Sequence, residues 1–288
     1  MKDNSLNQVV VTGASGFIGS NLISQAKLYP DFQLIPVSRK KIPNHVFVEN
    51  YIDSPKSDIL IYLSEDSNRN IVSRDSEYYI SKNQDTLSEL LKKNYSKFIY
   101  VSSAALYGDK NNFSNNIKTN IVNDSLYTKL KFQSEKIVLE HPNGIVVRLS
   151  NVYGPGMSKM NVISKILDQI PGDGDLFIRS SSPIRDFVWI TDVVDGIMKL
   201  ANLSNDQITR NKLFNIGTEV GTSILNIAKI ALKVVKQDYR HILSTESSSN
   251  FSKIVVDYSD INFLTGWQPK VDISSGLNNL IMNKIKGI

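Results

Sequence analysis

The 288-residue chain contains no cysteine. That excludes structural disulfides, thiolate zinc sites and a cysteine nucleophile. Histidine is nearly as scarce. His45, His141 and His241 stand far apart with no ligand spacing, so no metal site is expected. No apolar run approaches the ~20 residues of a membrane span. Segment 1–5 leads into only three consecutive valines, too few for the apolar centre of a signal peptide. The expectation is a cytoplasmic protein with no membrane partner. The net charge is +5, yet Lys and Arg are scattered and no aromatic–basic interleaving stands out. That pattern reads as a solvated basic surface that helps attract an anionic substrate, not as a nucleic-acid face. With 41% hydrophobic and 21% charged residues, the chain has the balance of a globular enzyme and can bury a core unaided.

Short β-branched or aromatic runs alternate with amphipathic stretches over the first two thirds. The runs at 8–12, 33–37, 46–48, 59–63, 97–102 and 145–149 predict strands, and 17–28, 76–94 and 127–141 predict helices. This alternation predicts an α/β fold, a Rossmann-type doubly wound parallel sheet with helices on both faces. Runs 59–63 and 97–101 are almost continuously apolar, as strands covered on both faces should be. The last third predicts a loop-rich stretch at 155–183 with one helix near 161–169, strands at 186–190 and 212–216, and helices at 191–201, 224–236 and 274–286. Thr191 or Asp192 is the expected cap of the helix at 191–201. The asparagine-rich stretch 111–123 reads as a surface loop near the active-site mouth.

Between the first strand and first helix, glycines fall at Gly13, Gly16 and Gly19. Such a turn lets the backbone approach a pyrophosphate, and the helix N-terminus offers unpaired N–H groups and a positive dipole end. Gly13, Ser15, Gly16, Phe17, Ile18 and Gly19 are therefore candidate cofactor residues. An NAD site commonly carries an acid about 20 residues further on. This chain has Ser38-Arg39-Lys40-Lys41 there. Arg39 and Lys40 can pair with a 2′-phosphate, Arg39 through its planar fork. NADP(H) is favoured, with NAD(H) possible.

Tyr127 and Lys131 are four apart in a helix-like stretch and so share a face. A free phenol titrates near ~10, and a neighbouring ammonium favours its ionised form. Lys129 points elsewhere on the helix. Ser103 follows a buried strand, at the edge where α/β sheets bind ligands. Its hydroxyl can donate to a carbonyl oxygen that gains charge on reduction. Ser103, Tyr127 and Lys131 are the candidate catalytic group.

Together these features resemble the extended short-chain dehydrogenase/reductase family, the NAD-dependent epimerase/dehydratase group. Thr12–Gly19 is similar to its T-G-x-x-G-F-I-G turn, and Val101-Ser102-Ser103-Ala104-Ala105-Leu106-Tyr107-Gly108 to its S-S-x-x-x-Y-G segment. Tyr127 to Lys131 with Glu135 resembles Y-x-x-x-K-x-x-x-E. Asn83 with Thr86-Leu87 resembles N-x-x-G-T-x-x-L, with Asp85 where glycine is usual. Arg148 to Gly156 resembles R-x-x-N-V-Y-G-P-G. Arg185-Asp186-Phe187-Val188 with Asp192-Val193 resembles R-D-F-V-x-x-x-D-V. Phe214-Asn215-Ile216-Gly217 and Gly266-Trp267-Gln268-Pro269 resemble F-N-I-G and G-W-x-P. Two departures stand out. Tyr62-Leu63-Ser64-Glu65 replaces the usual H-L-A-A, and Ala104-Ala105 replaces the Asp-Glu pair of the dehydratases.

The resemblance implies a Rossmann domain at 1–155 plus about 186–217, and a substrate-binding lobe at 156–185 and about 218–288. It implies cofactor contacts at Asp53, Leu63, Ser64 and Asn83 as well as Tyr127 and Lys131. Substrate contacts are implied at Ser103, Asn151 and Arg185, the last at the diphosphate of a nucleoside-diphosphate sugar. A homodimer through the helices at 76–94 and 127–141 is implied too. The first expectation is an NADP(H)-dependent reductase of a nucleotide-linked 4-keto(-6-deoxy)sugar. The alternatives are an NAD-dependent nucleotide-sugar 4-epimerase and a non-catalytic NADP-binding sensor.

Overall fold

The computed structural model describes residues 6–65, 76–208, 211–246 and 250–285. The N-terminal segment 1–5 and the last residue of the predicted helix 274–286 lie outside them. Seven parallel strands form the main sheet: β1 (Asn7–Thr12), β2 (Phe32–Ser38), β3 (Val46–Phe47), β4 (Ile59–Tyr62), β5 (Lys97–Ser103), β6 (Gly144–Leu149) and a late strand at Leu213–Ile216. Three further strands come before that one, β7 (Asn151–Tyr153), β8 (Leu176–Ile178) and β9 (Ile184–Trp189), so it is β10. The order across the sheet is β10-β6-β5-β4-β1-β2-β3. The direction of winding reverses between β1 and β4, which opens a crevice beyond their carboxyl ends.

The side chains of β1 alternate between two cores. Val9 and Val11 join Ile59, Ile61, Ile99, Val101, Ile145 and Val147 on one face. Helices α1 (Phe17–Ser24) and α5 (Ile190–Ala201) cover it with Leu22, Val193 and Ile197. Val10 joins Leu60, Tyr62, Phe98, Tyr100 and Val146 on the other face. There α2 (Ser76–Leu91) and α3 (Leu126–Glu140) contribute Leu87, Leu90 and Val138. Burial on both faces is why β1, β4 and β5 read as unbroken apolar runs.

A second core gathers Tyr153, Ile163, Ile166, Leu176, Phe187, Trp189, Ile227, Ala231, Leu277 and Ile281. It is built by α4 (Val162–Leu167), β8, β9, α7 (Ile224–Val234) and the C-terminal helix Ile273–Ile285. Strand β9 pairs with β7, β11 (Gly221–Ser223) and β13 (Lys253–Ile254), while β8 pairs with β12 (Ile242–Ser244). Period two again decides the packing. Phe187 and Trp189 face this core and Val188 faces the first. The strands β7, β8, β11, β12 and β13 are two or three residues long, and helices α6 (Asn205–Ile208) and α8 (Ser259–Thr265) are short too. None had a legible period.

The predicted cap of α5 is corrected. Its N-cap is Trp189, with no side-chain hydrogen bond. Asp192 turns inward instead, and its Oδ2 accepts from the backbone N–H of Lys270 and Val271, both at 3.0 Å. A carboxylate committed to a distant segment is not available to its own helix end. Asn111–Asn123 is not wholly a surface loop either. Asn115 is buried, and its N–H and Nδ2 donate to the Val255 carbonyl at 2.8 and 2.9 Å.

The G-W-x-P segment works here as a peg. Gly266 ends α8 in the left-handed conformation at φ 65°. Trp267 follows, fully buried, its Nε1 donating to the Asp192 carbonyl at 3.0 Å. Trp267→Ala leaves a large cavity and an unpaired carbonyl, and should lower the unfolding free energy by about 3–5 kcal/mol. Urea titration of both proteins measures this. Trp267→Phe should recover part of the loss.

Candidate active site

The glycine turn closes tightly on the end of β4. Gly13 has φ 68°, and a Cβ there would stand 2.6 Å from the Leu63 carbonyl oxygen. A Cβ at Gly19 would stand 2.5 Å from the Gly13 carbonyl oxygen. Both approaches are backbone on backbone and forbid a side chain. Gly16 caps α1 with no side-chain hydrogen bond, and no acid occupies the first turn. Ser15 and Gly16 are exposed, Phe17 and Ile18 half-buried. A helix start of this kind, open and uncapped, suits a phosphate.

Beyond β2 the basic loop is tied to that turn. Ser38 Oγ donates to Ser15 Oγ at 3.1 Å and accepts from the Lys40 N–H at 2.9 Å. Arg39 and Lys40 are exposed, and the Arg39 guanidinium stands 5.3 Å from the centre of the Tyr51 ring. Asp53 is exposed on the short turn Tyr51–Asp53. Beyond β4, Ser64 Oγ donates to Thr12 Oγ1 at 3.1 Å. The turn, the basic loop and Leu63–Ser64 thus line one crevice, and their chemistry fits a dinucleotide.

Helix α3 brings in the Tyr–Lys pair. Ser125 and Thr128 form a reciprocal capping box, at 3.2 Å from the Thr128 N–H to Ser125 Oγ and 3.0 Å from the Ser125 N–H to Thr128 Oγ1. This fixes the helix start, so half-buried Tyr127 lies in the first turn and Lys131 one turn later, buried. The Lys131 ammonium stands 6.0 Å from the Tyr127 ring centre and 5.0 Å from that of Tyr100. It donates to the Val101 carbonyl at 3.1 Å. Exposed Lys129 takes no part. Ser103, at the end of β5, accepts from the Ala105 N–H at 3.2 Å. That use of a lone pair leaves the hydroxyl hydrogen available to donate.

One residue of this region was missed as a site residue. Glu65 is buried and pairs with Lys131 at 2.6 Å, the two side chains only 2% and 6% exposed. Its carboxylate also accepts from Tyr100 OH at 2.5 Å, Ser134 Oγ at 2.6 Å and Asn83 Nδ2 at 2.7 Å. Asn83, expected at the cofactor, commits its amide to Glu65 and Ser134. Burial alone would favour a neutral amine on Lys131. Glu65, with Tyr127 next in effect, reverses this and holds Lys131 above the ordinary lysine value. The signal in the sequence was an acid directly after a buried strand, at a position where the resembling family has alanine.

Several other motif residues hold the site's walls together. Glu135 accepts from Arg148 Nε at 2.9 Å and Nη2 at 2.6 Å, and from Ser102 Oγ at 2.5 Å, joining α3, β6 and β5. Tyr107 OH donates to Asn215 Oδ1 at 2.8 Å. Asp186 Oδ1 accepts from the Thr218 N–H and Oγ1 at 2.8 and 2.7 Å. Its Oδ2 accepts from the N–H groups of Glu219 and Val256 at 3.2 and 3.3 Å. Half-buried Arg185 donates to the Ser252 carbonyl at 3.2 Å and to Ser252 Oγ at 2.8 Å, and Ser252 Oγ donates to Asp109 at 2.6 Å. Asn151 is half-buried on β7. A cavity of about 290 Å³ lies between Tyr107 and the 111–122 loop, lined also by Phe113 and Lys118.

Comparison with known proteins gives a family and a shared fold. A model of the NAD dependent epimerase/dehydratase family matches residues 9–217. The dTDP-D-glucose 4,6-dehydratase of Bos taurus is 25% identical over 97% of this chain and 89% of its own. An ADP-L-glycero-D-manno-heptose-6-epimerase of Cupriavidus pinatubonensis is 26% identical over 79% of this chain and 78% of its own. Among solved structures, RMD from Pseudomonas aeruginosa complexed with NADPH has a TM-score of 0.82, at 20% identity over 98% of this chain and 100% of that one.

The buried Asp186 gives stability a pH dependence. Burial raises its carboxyl from the ordinary 3.8 to about 6, against the opposing hydrogen bonds from Thr218. The folded chain therefore binds more protons than the unfolded chain between those values. Asp186's contribution is fully present below about pH 4 and falls as pH rises through about 6, by up to about 3 kcal/mol. Urea titrations across this range should show that slope, and Asp186→Asn should remove it.

Proposed function

Because the chain belongs to the NAD dependent epimerase/dehydratase family, we propose that it is an NADP(H)-dependent reductase of a nucleotide-linked 4-keto(-6-deoxy)sugar. The observation that carries this reading is the loop after β2. It presents exposed Arg39 and Lys40, with no carboxylate from Ser38 to Lys41. A guanidinium there suits a 2′-phosphate through paired hydrogen bonds. The positions after Ser103 support the same reading. Ala104 and Ala105 carry no acid or base to remove water, which weighs against 4,6-dehydration.

Gly13–Gly19 and the start of α1 would hold the pyrophosphate, and Arg39 and Lys40 the 2′-phosphate. Leu63, Ser64 and Asp53 would line the remainder of that crevice. Bound NADPH supplies the hydride. Ser103 donates its hydroxyl hydrogen to the substrate's carbonyl oxygen and stabilises the charge that gathers there. Tyr127 delivers a proton to that oxygen as the carbonyl becomes an alcohol. Lys131 holds the phenol's electrostatic surroundings. Asn151 and the lobe carrying Arg185 would receive the nucleoside diphosphate, with Arg185 directed to its phosphates. Helices α2 and α3 pack side by side, and a second copy would meet the chain there as a homodimer.

A 4-epimerase is the second reading; the likeness to the heptose-6-epimerase supports epimerase chemistry without fixing the carbon. It would use the same three side chains and retain NAD through successive removal and return of hydride. Dinucleotide exchange separates the two. The reductase should bind NADPH reversibly and consume it stoichiometrically with a UDP- or dTDP-linked 4-ketosugar. Retention of tightly held NAD with interconversion of hydroxyl epimers would overturn it.

Two substitutions probe the assigned roles. Tyr127→Phe should lower kcat by about 10²–10⁴-fold with the circular dichroism spectrum unchanged; full turnover would remove the proton-donor role. Arg39→Ala should reduce the preference for NADPH over NADH by roughly 10–100-fold in kcat/KM, the loss expected for a charge-assisted hydrogen bond. An unchanged preference would remove the basis for NADP.

A further inference from the structure

The proposed Tyr–Lys pair has a charged partner behind it. We propose that Glu65 is a positioning residue, whose carboxylate fixes the Lys131 ammonium over the ends of β4 and β5 and holds its charge beside Tyr127. This rests on the reading of Tyr127 as proton donor and names what keeps the lysine in place to serve it.

Glu65 has no slack in its placement. One oxygen accepts from Asn83 on α2 and Ser134 on α3, the other from Tyr100 on β5 and from Lys131. Lys131 spends two of its three N–H groups on Glu65 and the Val101 carbonyl. Its head is thereby held where it stands 6.0 Å from the Tyr127 ring centre. Without the carboxylate, burial would favour the neutral amine on Lys131 and the charge beside Tyr127 would be lost. Paired with Glu65, the lysine keeps both its charge and its place next to the phenol that gives its proton to the carbonyl being reduced.

Other ionisable groups nearby do not substitute for this balance. Glu135 on α3 is matched by Arg148 on β6 at 2.6 Å. Tyr62 on β4, Tyr100 on β5 and Tyr107 in the turn after β5 are all pushed upward, each mainly by burial, and remain neutral at physiological pH. Among the described residues, Glu65 is the carboxylate in contact with Lys131.

The test uses Glu65→Gln in the full chain, a change of charge with little change of shape. Ionisation of Lys131 is followed by NMR of side-chain-labelled lysine without dinucleotide or substrate, its signal assigned by its loss in Lys131→Met. The expected result is a downward shift of about one pH unit or more in the midpoint of Lys131 deprotonation, with the alkaline fall of the reductive rate moving the same way. An unchanged midpoint in a folded variant overturns the inference. Should Glu65→Gln prevent folding, Glu65→Ala combined with Tyr100→Phe withdraws the carboxylate together with one of its donors and is read in the same way. The midpoint needs no substrate, so the two readings fail separately. Full turnover by Tyr127→Phe sinks the proton-donor role whatever the midpoint does. An immobile midpoint sinks only the role of Glu65.

Discussion

An ammonium buried within the protein must find an opposite charge or lose its proton. Lys131 meets that constraint through Glu65, and much of the site's construction follows from it. The carboxylate that satisfies Lys131 must itself be satisfied, so it recruits Tyr100, Ser134 and Asn83 from β5, α3 and α2. The ion pair therefore joins the loop after β4 to three separate elements, and the same contacts that hold the helices on the sheet also hold Lys131 beside Tyr127. Breaking either partner would leave the other uncompensated in a low-dielectric interior, so the pair is retained or lost as a unit.

A similar economy runs through the motif residues that carry no reacting group. Glu135 and Arg148 form a forked pair between α3 and β6, and Tyr107 meets Asn215 between the turn after β5 and β10. Asp186 and Asp192 are buried carboxylates spent on backbone N–H groups of distant segments, and Trp267 locks onto the first turn of α5. Each replaces a hydrogen bond that water would otherwise make, and each ties segments far apart in the chain. The groups proposed to meet a ligand are fewer: the glycine turn, the basic loop after β2, Ser103, Tyr127 and Lys131.

How much could be read in advance depended on the range of the interaction. Strands β1, β4, β5 and β6 and helices α1, α2 and α3 were legible because burial imposes a period of two, of 3.6, or an unbroken apolar run on contiguous residues. The glycine turn was legible because Gly13 and Gly19 answer to local backbone crowding, and Tyr127 and Lys131 because a helix places every fourth residue on one face. The short strands β7, β8, β11, β12 and β13 were not, since two or three residues carry no period. The cap of α5 was misread because Asp192 looks like a capping residue from its position and is drawn away by Lys270 and Val271, nearly 80 residues on.

The amino-acid sequence by itself determined the parallel α/β architecture, the glycine turn, the cationic loop that follows β2 and the Tyr–Lys spacing, because each is set by neighbours within about one helical turn or one strand. Only the tertiary structure decided what the side chains do across those distances. It gave Asn83 partners in Glu65 and Ser134, gave Ser103 a backbone partner at Ala105, and set a carboxylate from the end of β4 against the lysine of α3. Burial and charge pairing act through space, and the folded chain alone specifies which residues share that space.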